Sequence, residues 1–149
     1  MSDLEKAKQL LAESGHACVL CRGEEIITED GRSVSSLLRL LSAGRDLSGF
    51  SIADKVIGKA AALLLVKAGI REAYAPVMSR EGFRVLQEHR IPAAYDQEVE
   101  MIENRDHTDM CPMEKAVQKT EDPDHAFDEL TQAAQRMRAA AAARGGQNR

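Results

Sequence analysis

The sequence predicts a mixed α/β sandwich, in which helices pack against a sheet with both parallel and antiparallel strands. Two observations lead to this prediction. Residues 51–69 form one long apolar stretch, and its segment 60–66 is apolar on every side and therefore belongs inside a domain. After it, two short strand-like segments flank an amphipathic helix, and such a helix normally returns the strands parallel through a right-handed crossover.

The first fifty residues predict a helix, a hairpin and a second helix. Residues 2–14 carry apolar side chains at helical spacing and are followed by a glycine. Residues 17–21 and 25–28 are short runs joined by a turn, which predicts a β-hairpin. Residues 34–41 predict a second helix, and residues 47–52 lead into the central stretch.

The central stretch predicts one buried helix that begins near Asp54 and ends at Gly69. Lys55 and Lys59 are four residues apart and share one face of this helix near its start, where the helix dipole favours carboxylates over cations. Such a break of a local rule is typical of functional sites. Two interpretations stay open: the lysines extend to solvent or pair with carboxylates, or they form an anion site with the free helix N–H groups.

Beyond the central helix, the pattern predicts a strand, a helix and a second strand. Residues 70–77 and 91–95 are the strands, and Pro92 indicates a strand beginning or a sheet edge. The helix between them spans residues 79–89, with Ser79 as its N-cap.

A polar segment, residues 100–109, separates these elements from the C-terminal helices. It leads into a helix over residues 110–117, for which Asp109 is the expected cap and Pro112 lies in the first turn.

The last helix is predicted to dock through its first half only. It spans residues 124–144, and its apolar stripe gives way to five consecutive alanines before a tail at residues 145–149. We therefore divide the chain into an α/β domain, residues 1–120, and a C-terminal helical extension with a flexible tail, residues 121–149.

Composition excludes several classes of partner. The formal net charge of −4 and the aromatic content of 3% give no reason to expect nucleic acid or a membrane surface as partner. The central stretch is shorter than the roughly 20 apolar residues that a membrane span needs. Three cysteines, an odd number, fit a reducing compartment, and the first residues do not resemble an export signal. We therefore expect a cytoplasmic protein.

The cysteines allow a metal interpretation and a simpler one. Cys18 and Cys21 point to opposite faces of a predicted strand, which is unfavourable for metal binding. Cys111 and His107 would have to complete a Cys3His set, and buried thiols acting as small hydrophobes are the favoured alternative. Cys111 lies at the start of a predicted helix, where a thiol is more nucleophilic, although cysteines that merely pack are commoner. Glu114, three residues on, suits either capping or catalysis.

Four motifs carry a resemblance to a known family. They are Asp54-Lys-Val-Ile-Gly-Lys-Ala-Ala-Ala62, Tyr74-Ala-Pro-Val-Met-Ser79, Ile102-Glu-Asn-Arg105 and Cys111-Pro-Met-Glu114. With them, residues 4–118 resemble an uncharacterised prokaryotic family of unknown function with a cytidine deaminase-like fold. The resemblance implies a three-layer α/β/α sandwich, with a mixed sheet around the buried central helix, and it implies no activity.

The motifs of zinc-dependent deaminases are absent from the expected positions. Those enzymes carry a His-x-Glu pattern on the central helix and a Pro-Cys-x-x-Cys pattern on a later one. The corresponding segments here are Ile57-Gly-Lys59 and Pro76-Val-Met-Ser-Arg80, without a metal ligand or a proton-shuttling glutamate. We therefore predict no metal, no cofactor and no zinc-dependent deamination.

Our first functional hypothesis is a zinc-free domain that binds an anionic metabolite, a nucleotide or a sugar phosphate, at the start of the central helix. The predicted ligand-binding residues are Asp54, Lys55, Lys59, Asn104, Arg105 and Asp109. The predicted catalytic residues are Lys59, Cys111 and Glu114. A desolvated Lys59 would lose its proton more easily and would attack a sugar aldehyde as an imine-forming amine.

The second hypothesis is a structural or regulatory module that has lost deaminase chemistry and forms homo-oligomers. Lys55 and Lys59 would then pair with internal carboxylates such as Asp109 or Glu114. Lysines that are fully matched by carboxylates favour this hypothesis, and an unmatched pair that faces a cavity favours the first.

Overall fold

A computed structural model describes residues 1–31 and 33–147 of the chain. These residues form a six-stranded mixed sheet with helices on both faces, an open arrangement consistent with a three-layer α/β/α sandwich. The elements in chain order are α1 (Asp3–Ser14), β1 (Cys18–Arg22), β2 (Glu25–Glu29), α2 (Ser33–Ser42), β3 (Ser51–Asp54), β4 (Val56–Ile57), α3 (Lys59–Ala68), β5 (Glu72–Ser79), α4 (Arg80–Glu88), β6 (Ala93–Val99), α5 (Pro112–Ala116) and α6 (Pro123–Gln147).

The sheet combines an antiparallel half with a parallel half. Strand β1 pairs antiparallel with β2 and β3, which confirms the predicted hairpin. Strand β5 pairs parallel with β3, β4 and β6. The pairs Ala53–Tyr74 and Val56–Val77 have the same register, and β6 pairs along nearly all of β5. Strands β3 and β4 therefore share one side of β5, as two pieces of one interrupted strand.

The predicted start of the central helix is wrong. Residues 51–54 and 56–57 are strand, and α3 begins at Lys59 with Gly58 as its N-cap. Asp54 is the last residue of β3, and Lys55 lies in an exposed bend, so Lys55 and Lys59 do not share a helix face. The error has a physical reason: a strand buried on both faces and a buried helix are both continuous apolar runs, and hydrophobic periodicity does not separate them.

The two faces of the sheet carry separate apolar clusters. The larger includes Cys18 and Leu20 of β1 together with the whole buried length of α3. The smaller joins Val19 and Cys21 of β1 to helix α1. Alternation along β1 thus places the two cysteines on opposite faces, as predicted. Helix α3 is covered on its outer side by α6, and its apolar segment 60–65 is shielded from water.

Several predicted boundaries move by a few residues. Strand β6 extends to Val99 and starts directly after Pro92, which cannot donate to a sheet hydrogen bond. Ser79 is the N-cap of α4 as predicted, and its Oγ accepts a hydrogen bond from the N–H of Gly82. Helix α5 is shorter than predicted, with Cys111 rather than Asp109 at its N-cap position.

Helix α6 docks through its first half and continues further than predicted. Ala126, Leu130 and Ala134 join the main core, whereas residues 138–145 are exposed. The predicted tail is wrong for residues 145–147, which continue the helix, and residues 148–149 lie outside the described part of the chain. Within residues 1–31 and 33–147, no helix, α6 included, has the length and apolar character that crossing a membrane requires.

Tyr74 links the α1 face of the sheet to β6. Its buried ring lies 4.2 Å from the Nζ of Lys8 on α1, and its hydroxyl donates to Oδ2 of Asp96 at 2.6 Å. Desolvation raises the pKa of Tyr74 from 10.0 to about 12, and the hydrogen bond and the negative charge of Asp96 act in the same direction. The neutral phenol is therefore part of the folded state.

We expect Tyr74 to make the stability of the protein depend on alkaline pH. Because its pKa is raised on folding, its contribution is complete below pH 10 and is lost as the pH rises toward about 12. Chemical denaturation of the wild type and of Tyr74→Phe across this interval tests it. The stability difference between the two proteins should shrink with rising pH, and a constant difference would contradict the assignment.

Candidate functional site

The start of α3 is capped by a carboxylate from another element. Gly58 has no side chain to cap the helix, and the Glu114 carboxylate of α5 takes this role instead. Its Oε1 accepts from the backbone N–H of Lys59 at 2.8 Å, and its Oε2 accepts from the N–H of Ala60 at 2.7 Å. A negative charge at this end of the helix is also favoured by the helix dipole. Two of the free N–H groups that sequence analysis assigned to an anionic ligand are therefore occupied.

The cap requires glycine at two positions. A Cβ on Gly58 would collide with Oε1 of Glu114 and would lie 2.7 Å from Cγ1 of Ile102. A Cβ on Gly82 would lie 3.0 Å from the backbone of Gly58 and Ile57. The two glycines therefore let α5 and the first turn of α4 approach the start of α3 closely.

Glu114 is buried, and its environment acts on its charge in both directions. Desolvation raises the pKa of Glu114, while the N–H groups of Ala60 and Lys59 and the charge of Lys59 act to lower it. The net shift is upward because the loss of hydration is the largest of these effects. The two backbone donors compensate part of that loss only while the carboxylate faces them.

Lys59 extends from the first turn of α3 into a network of charges. The residue is 8% exposed, its Nζ lies 2.9 Å from Oε2 of Glu121, and it donates to the carbonyl oxygen of Gln118 at 3.2 Å. Oε1 of Glu121 lies 2.8 Å from Nη2 of Arg84 on α4. Lys59 is therefore a buried cation matched by a carboxylate from the α5–α6 connection.

A cavity of about 230 Å³ lies beside this network. Its wall combines one cation, three carboxylates, two neutral polar side chains and two methionines. These residues are Lys59, Glu81, Glu100, Glu114, Ser79, Gln118, Met101 and Met110. The wall therefore carries more negative than positive charge, and it offers many more acceptors than an anion site needs.

Among the predicted site residues, Lys59 and Glu114 meet in this wall. Asp54 is buried at the end of β3, opposite Cys18 in the sheet, and does not begin a helix. Lys55 is exposed, with its backbone N–H bonded to the carbonyl of Ala17. The helix geometry that would have placed these two residues at the start of α3 is absent, because a strand occupies their segment.

The residues predicted from the polar segment 100–109 are held within it. The Asn104 side chain bonds to Thr108, Arg105 is exposed, and Asp109 pairs with Lys115. Cys111 is half-buried and packs against the main core.

Gln118, Glu121 and Arg84 were not predicted from the sequence. Gln118 follows Glu114 by four residues and Glu121 follows Gln118 by three, and this helical spacing is the signal that would have grouped Gln118 and Glu121 with Glu114. The connection leaves helical geometry after Ala116, but its next turn keeps Gln118 and Glu121 on the side of α3. For Arg84 the sequence offers no such signal, since its place depends on how α4 packs on α3.

Within residues 1–31 and 33–147, no group of three or more His, Cys, Asp or Glu side chains has an arrangement that could hold a metal ion. Cys18 and Cys21 lie on opposite faces of the sheet. Burial raises the pKa of the Cys18 thiol well above its usual value, and the charges of Asp54 and Glu29 add to the effect. This thiol is therefore kept protonated, which makes it a poor metal ligand.

Comparison with known proteins identifies relatives of unknown function. A family model described as a domain of unknown function, DUF1893, matches residues 6–133. The crystal structure of a DUF1893 family protein from Thermotoga maritima is similar, with a TM-score of 0.80 and 23% sequence identity. The similarity covers 89% of this chain and 90% of that one, and at this identity it shows a shared fold. No curated protein matches the sequence. The family match extends past residue 118, where the resemblance inferred from the sequence ends, into α6.

We expect Gly58→Ala to destabilise the protein strongly, because the added methyl group must displace Glu114 from the helix start. The expected loss is about 2–4 kcal/mol of unfolding free energy, typical of a buried steric clash with a lost cap. Gly145→Ala is the matched control, since a Cβ there meets nothing within 4 Å; in a helix it should stabilise by up to about 1 kcal/mol. Equal effects of the two changes in urea denaturation would contradict this assignment.

Glu114→Gln tests the cap itself. An amide retains one acceptor and turns an NH2 group toward the second backbone N–H, which leaves that donor unsatisfied. We expect a loss of about 1–3 kcal/mol, the usual cost of a buried unsatisfied group. The exposed Glu24 supplies the control, because Glu24→Gln removes the same charge at the surface. A thermal denaturation midpoint unchanged by Glu114→Gln would overturn the role of the cap.

Proposed function

This chain belongs to the DUF1893 family, and we propose that it binds a small sugar phosphate in the cavity at the start of α3, without a metal ion. The observation that carries the proposal is Lys59, a buried cation in the wall of a cavity. Burial of a lysine is costly unless it is paired. Lys59 is paired with Glu121, whose side chain is 58% exposed, and its position in the cavity wall also lets an anionic group of a ligand contact the ammonium group.

In this proposal, the anionic group of the ligand contacts the ammonium group of Lys59 and does not contact the N–H groups at the start of α3. Glu114 already holds the N–H groups of Lys59 and Ala60. An anionic group in the cavity therefore contacts the ammonium group of Lys59, which lies in the cavity wall. This modifies the original hypothesis, in which the lysine and the helix start bind one anion together.

The carboxylates favour a ligand that also donates hydrogen bonds. Glu81, Glu100 and Glu114 contribute oxygen acceptors to the wall, and the hydroxyl groups of a sugar are the matching donors. The same three charges disfavour a ligand with several phosphates. A volume of about 230 Å³ is also small for a whole nucleotide, because pockets for drug-sized ligands are about 300–1,000 Å³. A sugar monophosphate suits both the size and the charge.

The proposal is binding rather than covalent catalysis. Attack on an aldehyde requires an amine that is free to approach the carbonyl carbon, whereas the Nζ of Lys59 is engaged with the carboxylate of Glu121 and the carbonyl oxygen of Gln118. Glu114 is engaged in capping α3, and Cys111 packs against the core. These three residues, predicted as catalytic, are therefore proposed here as ligand contact, cap and packing residue.

A structural module is the second candidate function, favoured by the matching of Lys59 with Glu121. Charges balanced in this way would also be found in a domain that retained its fold and lost its ligand. Such a domain would assemble through a surface that the chain itself leaves uncovered, and the exposed second half of α6 provides one. A cytoplasmic location is proposed for either function, because the three cysteines are free thiols.

Isothermal titration calorimetry with ribose 5-phosphate tests the first candidate. We expect Lys59→Met to weaken binding about 10- to 100-fold, the usual effect of losing a hydrogen bond to a charged group. Lys55→Met is the matched control, because Lys55 is an exposed lysine in the bend before α3, and it should leave the affinity unchanged. Lys59→Arg keeps the charge and should retain part of the affinity.

Two results would contradict the proposed binding. One is the absence of binding to the wild type, and the other is an equal affinity of the wild type and a folded Lys59→Met. Sedimentation velocity on the same samples tests the structural module, which predicts a stable oligomer whose mass does not depend on the sugar phosphate.

A further inference from the structure

Glu121 bridges two cations that lie beside the cavity. One carboxylate oxygen is 2.9 Å from Nζ of Lys59, and the other is 2.8 Å from Nη2 of Arg84. The Glu121 side chain is 58% exposed and lies in the connection between α5 and α6. An exposed carboxylate on a connection is easily displaced, because its removal uncovers no apolar surface.

The two cations are held in place independently of Glu121. Lys59 also donates to the carbonyl oxygen of Gln118, and most of its length is buried. Arg84 also pairs with Glu81, and its Nη1 donates to Glu88 at 3.0 Å. If Glu121 moved away, both cations would keep their positions, with one donor of each directed toward the place of the carboxylate.

We propose that Lys59 and Arg84 form a two-cation phosphate subsite, and that Glu121 occupies this subsite when no ligand is bound. The inference rests on the proposed function, since it assigns the phosphate end of the same ligand. A phosphate group has several anionic oxygens that can replace those of the carboxylate, one accepting from Nη2 of Arg84 and another from Nζ of Lys59, and such charge-assisted hydrogen bonds are strong. The sugar then lies in the cavity, whose wall includes Lys59 and Glu81.

Release of Glu121 occurs by competition rather than by protonation. Desolvation raises the pKa of Glu121, but Lys59 and Arg84 lower it by more, so the net shift is downward. The carboxylate therefore stays charged throughout the neutral range, and acid does not open the subsite near neutral pH. A phosphate must outcompete it, and the affinity of the wild type is reduced by this internal competitor.

Inorganic phosphate is the probe for this inference, with binding followed by calorimetry and by the shift of the thermal midpoint. Glu121→Gln keeps the size of the side chain and removes its charge, and we expect it to bind phosphate about fivefold more tightly than the wild type. Glu121→Ala should show the same gain in phosphate affinity, and it replaces Glu121→Gln as the test if the glutamine side chain still bridges the two cations. Adding Arg84→Gln to Glu121→Gln should abolish the gain.

Glu88→Gln is the matched control, because Glu88 pairs with the same arginine but through Nη1, whereas Glu121 contacts Nη2. It removes the same charge and should change the phosphate affinity less than twofold. Equal affinities of the wild type, Glu121→Gln and Glu121→Ala would overturn the inference, as would a gain of the same size in Glu88→Gln.

Ribose 5-phosphate separates this failure from failure of the proposed function. If Lys59→Met loses sugar phosphate binding while the Glu121 variants bind phosphate like the wild type, the cavity still binds its ligand and the two-cation subsite is wrong. If Lys59→Met binds ribose 5-phosphate like the wild type, the proposed function fails first, and the inference fails with it.

Discussion

The structure depends on the carboxylate of Glu114 at the start of α3. This helix is buried at every residue except Val66 and Lys67, and the residue before it is Gly58, which has no capping side chain. Free N–H groups in such a place cost free energy unless they find acceptors. Glu114 satisfies two of them from a helix that lies 55 residues further along the chain. The cap therefore holds the end of the core helix and the position of α5 at once.

This constraint also shapes the site. With Glu114 at the helix start, the N–H groups are not available to a ligand, and Lys59 is left as the cation that faces the cavity. The short helix α5 brings Gln118 and Glu121 alongside Lys59, and Glu121 in turn joins Arg84 of α4. Three helices thus meet through charged groups at one end of the sheet, where the wall of the cavity is also formed.

Local patterns allowed much of the fold to be predicted. Strand alternation placed Cys18 and Cys21 on opposite faces, and Ser79 was identified as the N-cap of α4 from its side chain alone. The prediction failed at Asp54 and Lys55, because a buried strand and a buried helix follow each other without a change in hydrophobicity. Of the candidate site, Lys59 and Glu114 were among the residues named from the sequence, because a cation at a helix start breaks a local rule and Glu114 stands three residues after Cys111 in a first helical turn.

By itself, the sequence determined the mixed α/β class, the hairpin, the amphipathic helices and the end of α3 at Gly69, because each follows from side chains within one turn or one strand. The tertiary structure alone decided what Lys59 faces and what caps α3. Those contacts join α3 to residues 114, 118 and 121, more than 50 positions away. Their geometry depends on how α4 and α5 pack on α3, with Gly58 and Gly82 allowing the close approach. No local pattern encodes such packing.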